Sequence, residues 1–525
     1  MIANIFHTIY IPIYPRKKMS RLSDASLEFA RKHIEKYYDS DFFPKNREYS
    51  AIWHSWEDVK KELSSINVSK LPAASTVTAT SAKPKGGFRV VQQLDSISTI
   101  VYTALTYEVA DSIEKNRVPI ELDVACSYRI DLRDGSFFST GNGFNKYINK
   151  SKELATNYKY VLYTEITDFY NQIYLHRLNN AIEFSNSNLS NESNDIEIFL
   201  SKLNGKNSQG IPVGPAASVV MAEAILMDID DYLINENLAH TRYVDDFRIF
   251  SNNKNELVSA LEQFTLYLYK NHRLTLSSDK TKIIDCETYI DEILLNHYEI
   301  EKIEIINKIE IYNPYSDEIE EHEEPVVDEN ELFQEQINLV SEQIFEGEYL
   351  DIGIARYFLR KSKRFNIKQS AKVIFSNIEH FLPVINDVFL YLDKVSDEDF
   401  VNEWIETIVD LSSSEVMNRS LVRIWFEWYV SKNIYLVNNQ ALKKKIFNSF
   451  SISNQSQAAI ILNNLSWIRS KKSDLSEVNN RDRLAILRAA SILAKDEKDN
   501  WLRLIEQNSQ APIEKWVAKW VRETQ

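Results

Sequence analysis

The chain has 525 residues, 44% of them hydrophobic, which is enough for two to four domains with sizeable cores and excludes a small stapled scaffold. A formal net charge of -15 argues against a protein that coats nucleic acid nonspecifically, although the charge is unevenly placed. Only two cysteines occur, Cys126 and Cys286, so a zinc set or a disulfide framework is excluded and a reducing, cytoplasmic location is expected.

The N-terminal stretch MIANIFHTIYIPIYPRKK is apolar first and basic afterwards, the reverse of a secretory signal. No apolar run approaches bilayer-spanning length, so membrane insertion is not expected. Residues 1–90 hold 15 Lys/Arg against 9 Asp/Glu, a surplus that can hold phosphates or serve only as a solvated face. Residues 20–70 read as helices, with Leu27, Phe29, Ile34 and Tyr37 spaced for one face and SRLSDASLEF supplying start signals. In KPKGGFRVVQQL the period switches: a Lys-Pro-Lys-Gly-Gly turn leads into an alternating strand, which places Lys83, Lys85 and Arg89 on a hairpin.

Residues 96–116 read as a helix, and 156–166, TNYKYVLYTEI, as a strand rich in aromatic and β-branched residues. After the turn QGIPVGP an amphipathic helix is expected over 215–236, then the hairpin HTRYVDDFRIFS, a helix over 254–271 and a short strand near 280–285. Residues 301–331 carry 2 Lys against 12 Asp/Glu and read as an acidic linker. Beyond it, 332–525 shows helical periodicity with few strand signals, an all-α domain whose helix pairs are of HEAT-like size without a crisp repeat. Seven of the nine tryptophans fall there, among them Trp516 and Trp520 on one helix face, and they read as packing residues.

Nucleotide polymerisation needs carboxylates from two separated segments to converge on a pair of divalent ions about 3.5–4 Å apart. Asp245 and Asp246, adjacent at a tight hairpin turn, meet half of that demand, and the strand ending at Glu165, with Asp168 one turn later, offers the other half. A Tyr-Val-Asp-Asp tetrapeptide alone is as well read as a solvated acidic turn. The order of segments is more specific: the basic hairpin with Arg89, the acid-ended strand at 165, QGIPVGPAAS at 209–218, Tyr-Val-Asp-Asp at 243–246 and LTLSSDKTKI at 274–283. Together they resemble the fingers and palm of the reverse transcriptases over roughly residues 70–290. With VACSYR at 124–129, TDFYNQIYLHR at 167–177 and a long helical tail in place of a thumb and RNase H, the chain is most similar to the bacterial phage-defence, abortive-infection (Abi-type) reverse transcriptases.

That resemblance implies an α+β fold of right-hand fingers and palm followed by an all-α HEAT-like domain. It divides the chain into N-terminal helices and fingers (1–95), palm with interleaved fingers elements (96–300), acidic linker (301–331) and helical domain (332–525). It implies Mg²⁺ or Mn²⁺ as cofactor, with Asp245, Asp246 and Glu165 as ligands and Asp168 as a further catalytic carboxylate. Arg89, with Lys83 and Lys85, would hold the nucleotide triphosphate, because a guanidinium binds phosphate oxygens in a fork. Gln209, Gly210 and Pro212 would shape the floor under the nucleotide or template base, and Lys280 would protonate departing pyrophosphate. Tyr170 would block a 2′-hydroxyl and so select deoxynucleotides, which disfavours an RNA polymerase.

One departure stands out. In this register Glu165 occupies the place of an aspartate, and its extra methylene matters to a cation with strict octahedral geometry. Three readings stay open: Glu165 ligates after local adjustment, Asp168 compensates, or the chain is an attenuated relative of an active enzyme. The function expected is therefore RNA-directed or template-independent DNA synthesis from dNTPs in antiphage defence. Protein priming, DNA attached covalently to the protein, a non-coding RNA partner and homo-oligomers are implied by the family alone. The competing expectation is a catalytically impaired scaffold that binds partners as a defence sensor or toxin.

Overall fold

The strands fall into two sheets in the computed structural model, which describes residues 20–37, 40, 42–139, 141, 143–294, 344 and 349–524. The acidic linker 301–331 and the expected boundary at 332 lie outside the described residues. Strands β1 (Ser75–Ala82) and β2 (Phe88–Leu94) pair antiparallel, with Ser81 opposite Arg89. Their turn is closed by the Lys83 N–H, which donates to the Gly87 carbonyl at 3.1 Å. Gly86 and Gly87 take φ of 85° and 78° there, a conformation that glycine adopts without a Cβ clash.

The second sheet holds β3 (Tyr160–Glu165), β4 (Ala239–Tyr243), β5 (Asp246–Ser251) and β6 (Lys282–Asp285) in the order β4-β5-β3-β6, every neighbour antiparallel. Period-two alternation gives the sheet two distinct faces. Leu162, Phe247 and Ile249 enter the main core with the helices Ser96–Asn116 and Ala216–Asn235. On the opposite face Val161 and Phe250 pack with Leu154 and Tyr289, while Glu165 and Asp246 sit at the far end of the same face. Asp95 starts the helix Ser96–Asn116 by accepting from the N–H groups of Ile97 and Ser98, both at 2.9 Å.

Two expectations need correction. The strand expected over 156–166 begins only at Tyr160, because Thr156 and Asn157 complete the helix Gly143–Asn157. The helix expected to be amphipathic over 215–236 forms as Ala216–Asn235, yet every residue from Ala216 to Met227 is buried. It is enclosed by the helices Ser96–Asn116 and Leu175–Ser185 and by β4, so it has no solvent face along that length.

The C-terminal region is helical throughout its described length. Six helices, Ile352–Arg364, Ile385–Val395, Ser420–Lys432, Ile452–Ile461, Asn480–Ala489 and Pro512–Thr524, form a row in which each packs on the next, with shorter helices between them. Asx residues cap many of the starts: Asp351, Asp397, Asn433, Asn439, Asn464 and Asn479 all accept from backbone N–H groups one turn on. Trp425, Trp467, Trp501 and Trp516 are buried as expected of packing residues. The row shares a core with the earlier elements: Phe43, Ala79 and Val91 belong to its hydrophobic cluster, and Trp516, on a helix that packs against Tyr49–His54, belongs to the main core. Among the described residues no helix is long and apolar enough to cross a membrane.

The QGIPVGP turn is hydrogen-bonded both to β2 and to the turn that follows β3. The Gln92 N–H of β2 donates to the Val213 carbonyl at 3.1 Å, and a Cβ built on Gly214 would lie 2.5 Å from Ser40 Oγ, with φ at 135°. Gly214→Ala is expected to cost about 1–3 kcal/mol as a lowered urea midpoint. Gly141→Ala, where an added Cβ meets nothing within 4 Å, should change the unfolding free energy by less than about 0.5 kcal/mol.

Candidate active site

β4 and β5 are joined by two residues, Val244 and Asp245. Val244 has φ of 55°, an unfavourable left-handed conformation for a β-branched residue, and it persists because both its backbone groups are held. Its N–H donates to Ser127 Oγ at 2.9 Å, and its carbonyl accepts from Arg242 Nη1 at 3.2 Å. Arg242 is fully buried. Its Nε and Nη2 donate to Asp230, both at 2.7 Å, and Nη2 also donates to Glu223 at 2.9 Å. Arg117 reaches the same Glu223 carboxylate at 2.9 Å, and Ser127 Oγ donates to it at 3.0 Å. Two arginines and two acids thus neutralise one another in the interior. Burial opposes charge on Glu223, but the two guanidiniums outweigh it and hold its pKa below the ordinary value.

This frame brings three carboxylates to one end of the sheet. Glu165 is the register partner of Asp246, and the Ile166 N–H donates to the Asp245 carbonyl at 3.1 Å. Glu165 is paired with Lys280. Asp246 is paired with Arg248, two residues along the same strand and face, whose Nη2 donates to it at 3.2 Å. Arg248 in turn lies 5.4 Å from the Tyr163 ring centroid and 5.7 Å from that of Tyr147. Asp245 makes no ion pair among the described residues. Burial first, then the charge of Glu165, pushes its carboxyl up to about 7, with Asp246 adding to the rise and Arg89 opposing it. Asp168 lies after the strand with φ of 47° and accepts from Asn171 Nδ2 at 2.8 Å.

Of the expected nucleotide-binding residues, Lys280 pairs with Glu165, and Tyr170 and Arg89 act electrostatically on or with Asp245. The Tyr170 hydroxyl is raised by burial and then by the charge of Asp245, and Arg89 pulls it the other way, so the three act on one another. Arg89 is exposed on β2, and Lys83 and Lys85 are exposed at the turn of the same hairpin. The Gln209–Pro212 segment packs directly on the Tyr170 turn. The Ile211 N–H donates to the Tyr170 carbonyl at 3.0 Å, Gly210 N–H to Ile173 at 2.8 Å, and Gln209 Nε2 to Gln172 Oε1 at 2.8 Å. Gly210 has φ of 93°, and Pro212 is buried beside it.

Among the described residues no three His, Cys, Asp or Glu side chains are grouped closely enough to hold a metal ion as they stand. The donor set nevertheless suits a hard cation: Glu165, Asp245 and Asp246 offer only carboxylate oxygens, as Mg²⁺ and Mn²⁺ prefer. Glu165 and Asp246 would exchange Lys280 and Arg248 for such an ion. Sequence reading did not assign Arg242, Glu223, Asp230, Arg117, Ser127 or Arg248. A usable signal was present in Glu223, a lone acid within the apolar run from Ala216 to Met227, since buried charge requires a partner.

Residues 81–291 match the family model described as reverse transcriptase (RNA-dependent DNA polymerase). This stretch is a reverse transcriptase domain. It contains both β5 and the Glu165 strand, as well as Arg89 and Lys280. No curated protein matches the sequence. Similar solved structures include telomerase from Candida albicans in complex with a TWJ fragment of telomeric RNA, at 11% identity and a TM-score of 0.29 over 68% of this chain and 65% of that one. Telomerase from Candida tropicalis with a TWJ fragment gives 12% identity and a TM-score of 0.28 over 75% and 70% of the two chains. Apo telomerase from Candida tropicalis gives 12% and 0.29 over 92% and 77%. The chain thus spans about 65% of the Candida albicans protein's length.

Two outcomes follow from the electrostatics of the domain. Arg242→Leu leaves Glu223 and Asp230 buried with one cation fewer, and should cost about 3–5 kcal/mol in urea unfolding. Folded Asp245 holds its proton more tightly than the unfolded chain does, so its contribution to stability falls as pH rises from 3.8 to about 7. Asp245→Asn should therefore melt higher than the parent at pH 8 and no differently near pH 4, as thermal scans at the two pH values would read.

Proposed function

We propose that this protein is a DNA polymerase that transfers nucleotides from deoxynucleoside triphosphates, with the β1–β2 hairpin as fingers, the four-stranded sheet as palm and a HEAT-like helical row after it. The observation that carries this reading is the convergence of Glu165, Asp245 and Asp246 at one sheet end, with Tyr170 and Arg89 within electrostatic reach of Asp245. These three carboxylates would hold Mg²⁺ or Mn²⁺, which when bound supplies Lewis-acid stabilisation of charge on the phosphoryl oxygens.

The remaining roles belong to the chain's own side chains. Arg89, assisted by Lys83 and Lys85, grips the triphosphate from an exposed hairpin that is free to meet it. Tyr170, fixed from below by the Ile211 hydrogen bond, sets its ring against the sugar and excludes a 2′-hydroxyl. Gln209, Gly210 and Pro212 form the floor beside it. Lys280, which pairs with Glu165 in this state, is the proton donor to departing pyrophosphate once that pair opens. Asp168 stands in reserve on the following turn. The resemblance to Abi-type enzymes supports a role in antiphage defence, with RNA-directed or template-independent synthesis, protein priming, DNA attached to the protein, a non-coding RNA partner and homo-oligomers as its finer terms.

A second reading is favoured by one specific observation: two of the three carboxylates are already neutralised by Lys280 and Arg248. On that reading the domain is a non-catalytic scaffold for partner binding. Incubation with each dNTP and Mg²⁺ or Mn²⁺, followed by gel analysis with protease and RNase arms, separates the two. Polymerisation is expected to yield product that Asp245→Asn abolishes, with at least a tenfold loss, and that Glu165→Asp increases. Protease-sensitive DNA supports priming by the protein, and RNase-sensitive synthesis an RNA template. Absence of product from both the parent and Glu165→Asp favours the scaffold.

A further inference from the structure

A cavity of about 290 Å³ lies away from the three carboxylates, where the helical row meets residues 47–50. Arg47 lines it from the N-terminal segment. Trp428 and Lys432, Gln457, Arg488 and Trp520 come from four consecutive members of the row. Arg47 and Arg488 act on each other electrostatically, and neither makes an ion pair among the described residues. Arg488 is 8% exposed, and its Nη2 donates to Gln457 Oε1 at 3.0 Å while Nε and Nη1 have no protein acceptor. Arg47 donates to the Ser453 carbonyl at 2.8 Å and to Ser431 Oγ at 3.2 Å. Arg481 adds positive charge to the surroundings, and the buried Glu48 is the nearby acid that opposes it.

The like charges of the half-buried Arg47 and the buried Arg488 repel each other across one cavity, and Arg488 leaves two donors unmet, a cost that a bound anion would relieve. Burial, and then the charge of Arg488, lowers Arg47 to about 9. Guanidinium donors match phosphate oxygens in a fork, and Lys432 adds a third cation, its Nζ 4.3 Å from the Trp428 ring centroid and 2.8 Å from Asp393. Trp428 and Trp520 supply partly exposed indole surface on the same wall. Such surfaces stack on nucleobases without regard to sequence. The volume is near the lower limit of small-molecule sites, enough for one nucleotide and too small for a duplex.

We infer that this cavity binds the phosphate of a single nucleotide between Arg47, Arg488 and Lys432, with its base against Trp428 and Trp520. The nucleotide is either free or one unit of a single strand, and the two sources share this chemistry. The test uses the full chain and two photoprobes, 8-azidoadenosine 5′-monophosphate and a 12-mer of deoxythymidine carrying 5-iodouracil, with labelled peptides mapped by mass spectrometry. Labelling of the peptides that hold Trp428 or Trp520 is expected from one probe at least. The first probe identifies a free nucleotide and the second a strand.

Arg488→Gln keeps a hydrogen-bonding side chain and removes one of the two opposed charges. It should melt no lower than the parent while labelling at these peptides drops at least tenfold. Trp520→Leu is the second variant and should reduce labelling without moving the response to inorganic phosphate, read as a shift in melting temperature. Labelling that survives both variants, or that never reaches these peptides, overturns the inference. So does an Arg488→Gln protein that is destabilised with labelling unchanged, which would make the arginine purely structural. Asp245→Asn should leave labelling here intact, so failure of this site and failure of the proposed polymerase are read separately.

Discussion

The structure of the candidate site depends on one buried interaction, the neutral quartet of Arg242, Glu223, Asp230 and Arg117. Taking four charges out of water is expensive, and well-packed apolar residues could fill the same volume at less cost. What the quartet provides is direction. Arg242, aligned by Asp230 and Glu223, directs Nη1 at the Val244 carbonyl as well as at Glu223, and Ser127, fixed by Glu223, takes the Val244 N–H. Two hydrogen bonds to one residue hold a left-handed valine at the hairpin tip, and the residue after it is Asp245. A turn with ordinary dihedrals would send that carboxylate elsewhere, so the cost of buried charge and backbone strain is concentrated where position matters.

The three carboxylates respond to their neighbours in ways that separate them. Glu165 and Asp246 each have a cation, Lys280 and Arg248, and both cations come from the sheet end itself. Asp245 has none in contact, and burial together with the charge of Glu165 pushes its carboxyl up to about 7. Like charges in partial burial cannot all ionise without a counter-ion. Side-chain cations pair with Glu165 and Asp246, while Asp245 has no cation beside it and burial raises both aspartates. Any divalent ion that entered would compete with Lys280 and Arg248, and Arg248 is the firmer of the two, being fixed by Tyr163, Tyr147 and the Tyr289 hydroxyl.

Much of this was readable in the sequence because it is local. The KPKGG turn, the helix Ser96–Asn116, the paired aspartates and the Gly-Pro turn at 209–215 each depend on residues within a few positions of one another. The order of those segments then pointed to the domain that the family match spans. The parts that escaped are tertiary. Nothing near Arg242 announces that its partners lie 12 and 19 residues upstream on a buried helix, and a strand arginine ordinarily points to solvent. The same blindness made the helix Ala216–Asn235 look amphipathic: its charged residues suggested a wet face, whereas two of them, Glu223 and Asp230, are buried in the quartet. Thr156 and Asn157 were misread because a helix end and a strand start lie within three residues, closer than periodicity can resolve.

The helix Ser420–Lys432 ties the outer parts of the molecule together. At its start Ser420 Oγ accepts from the Thr80 N–H of β1, and the preceding Arg419 lies 5.8 Å from the ring centroid of Phe88, next to Arg89 on β2. One turn on, Trp425 Nε1 donates to the Phe42 carbonyl at 2.8 Å. Its last turns carry Trp428 and Lys432 into the arginine-lined cavity. The hairpin that presents Arg89 is therefore docked on the same rigid rod that forms a wall of that cavity, and the shared core of Phe43, Ala79 and Val91 with the row leaves little room for either to move alone. Closing the hairpin over a nucleotide would have to carry the helix with it or break the Thr80 hydrogen bond. The helical row is thus part of the mechanical frame of the reverse transcriptase domain rather than an appendage to it.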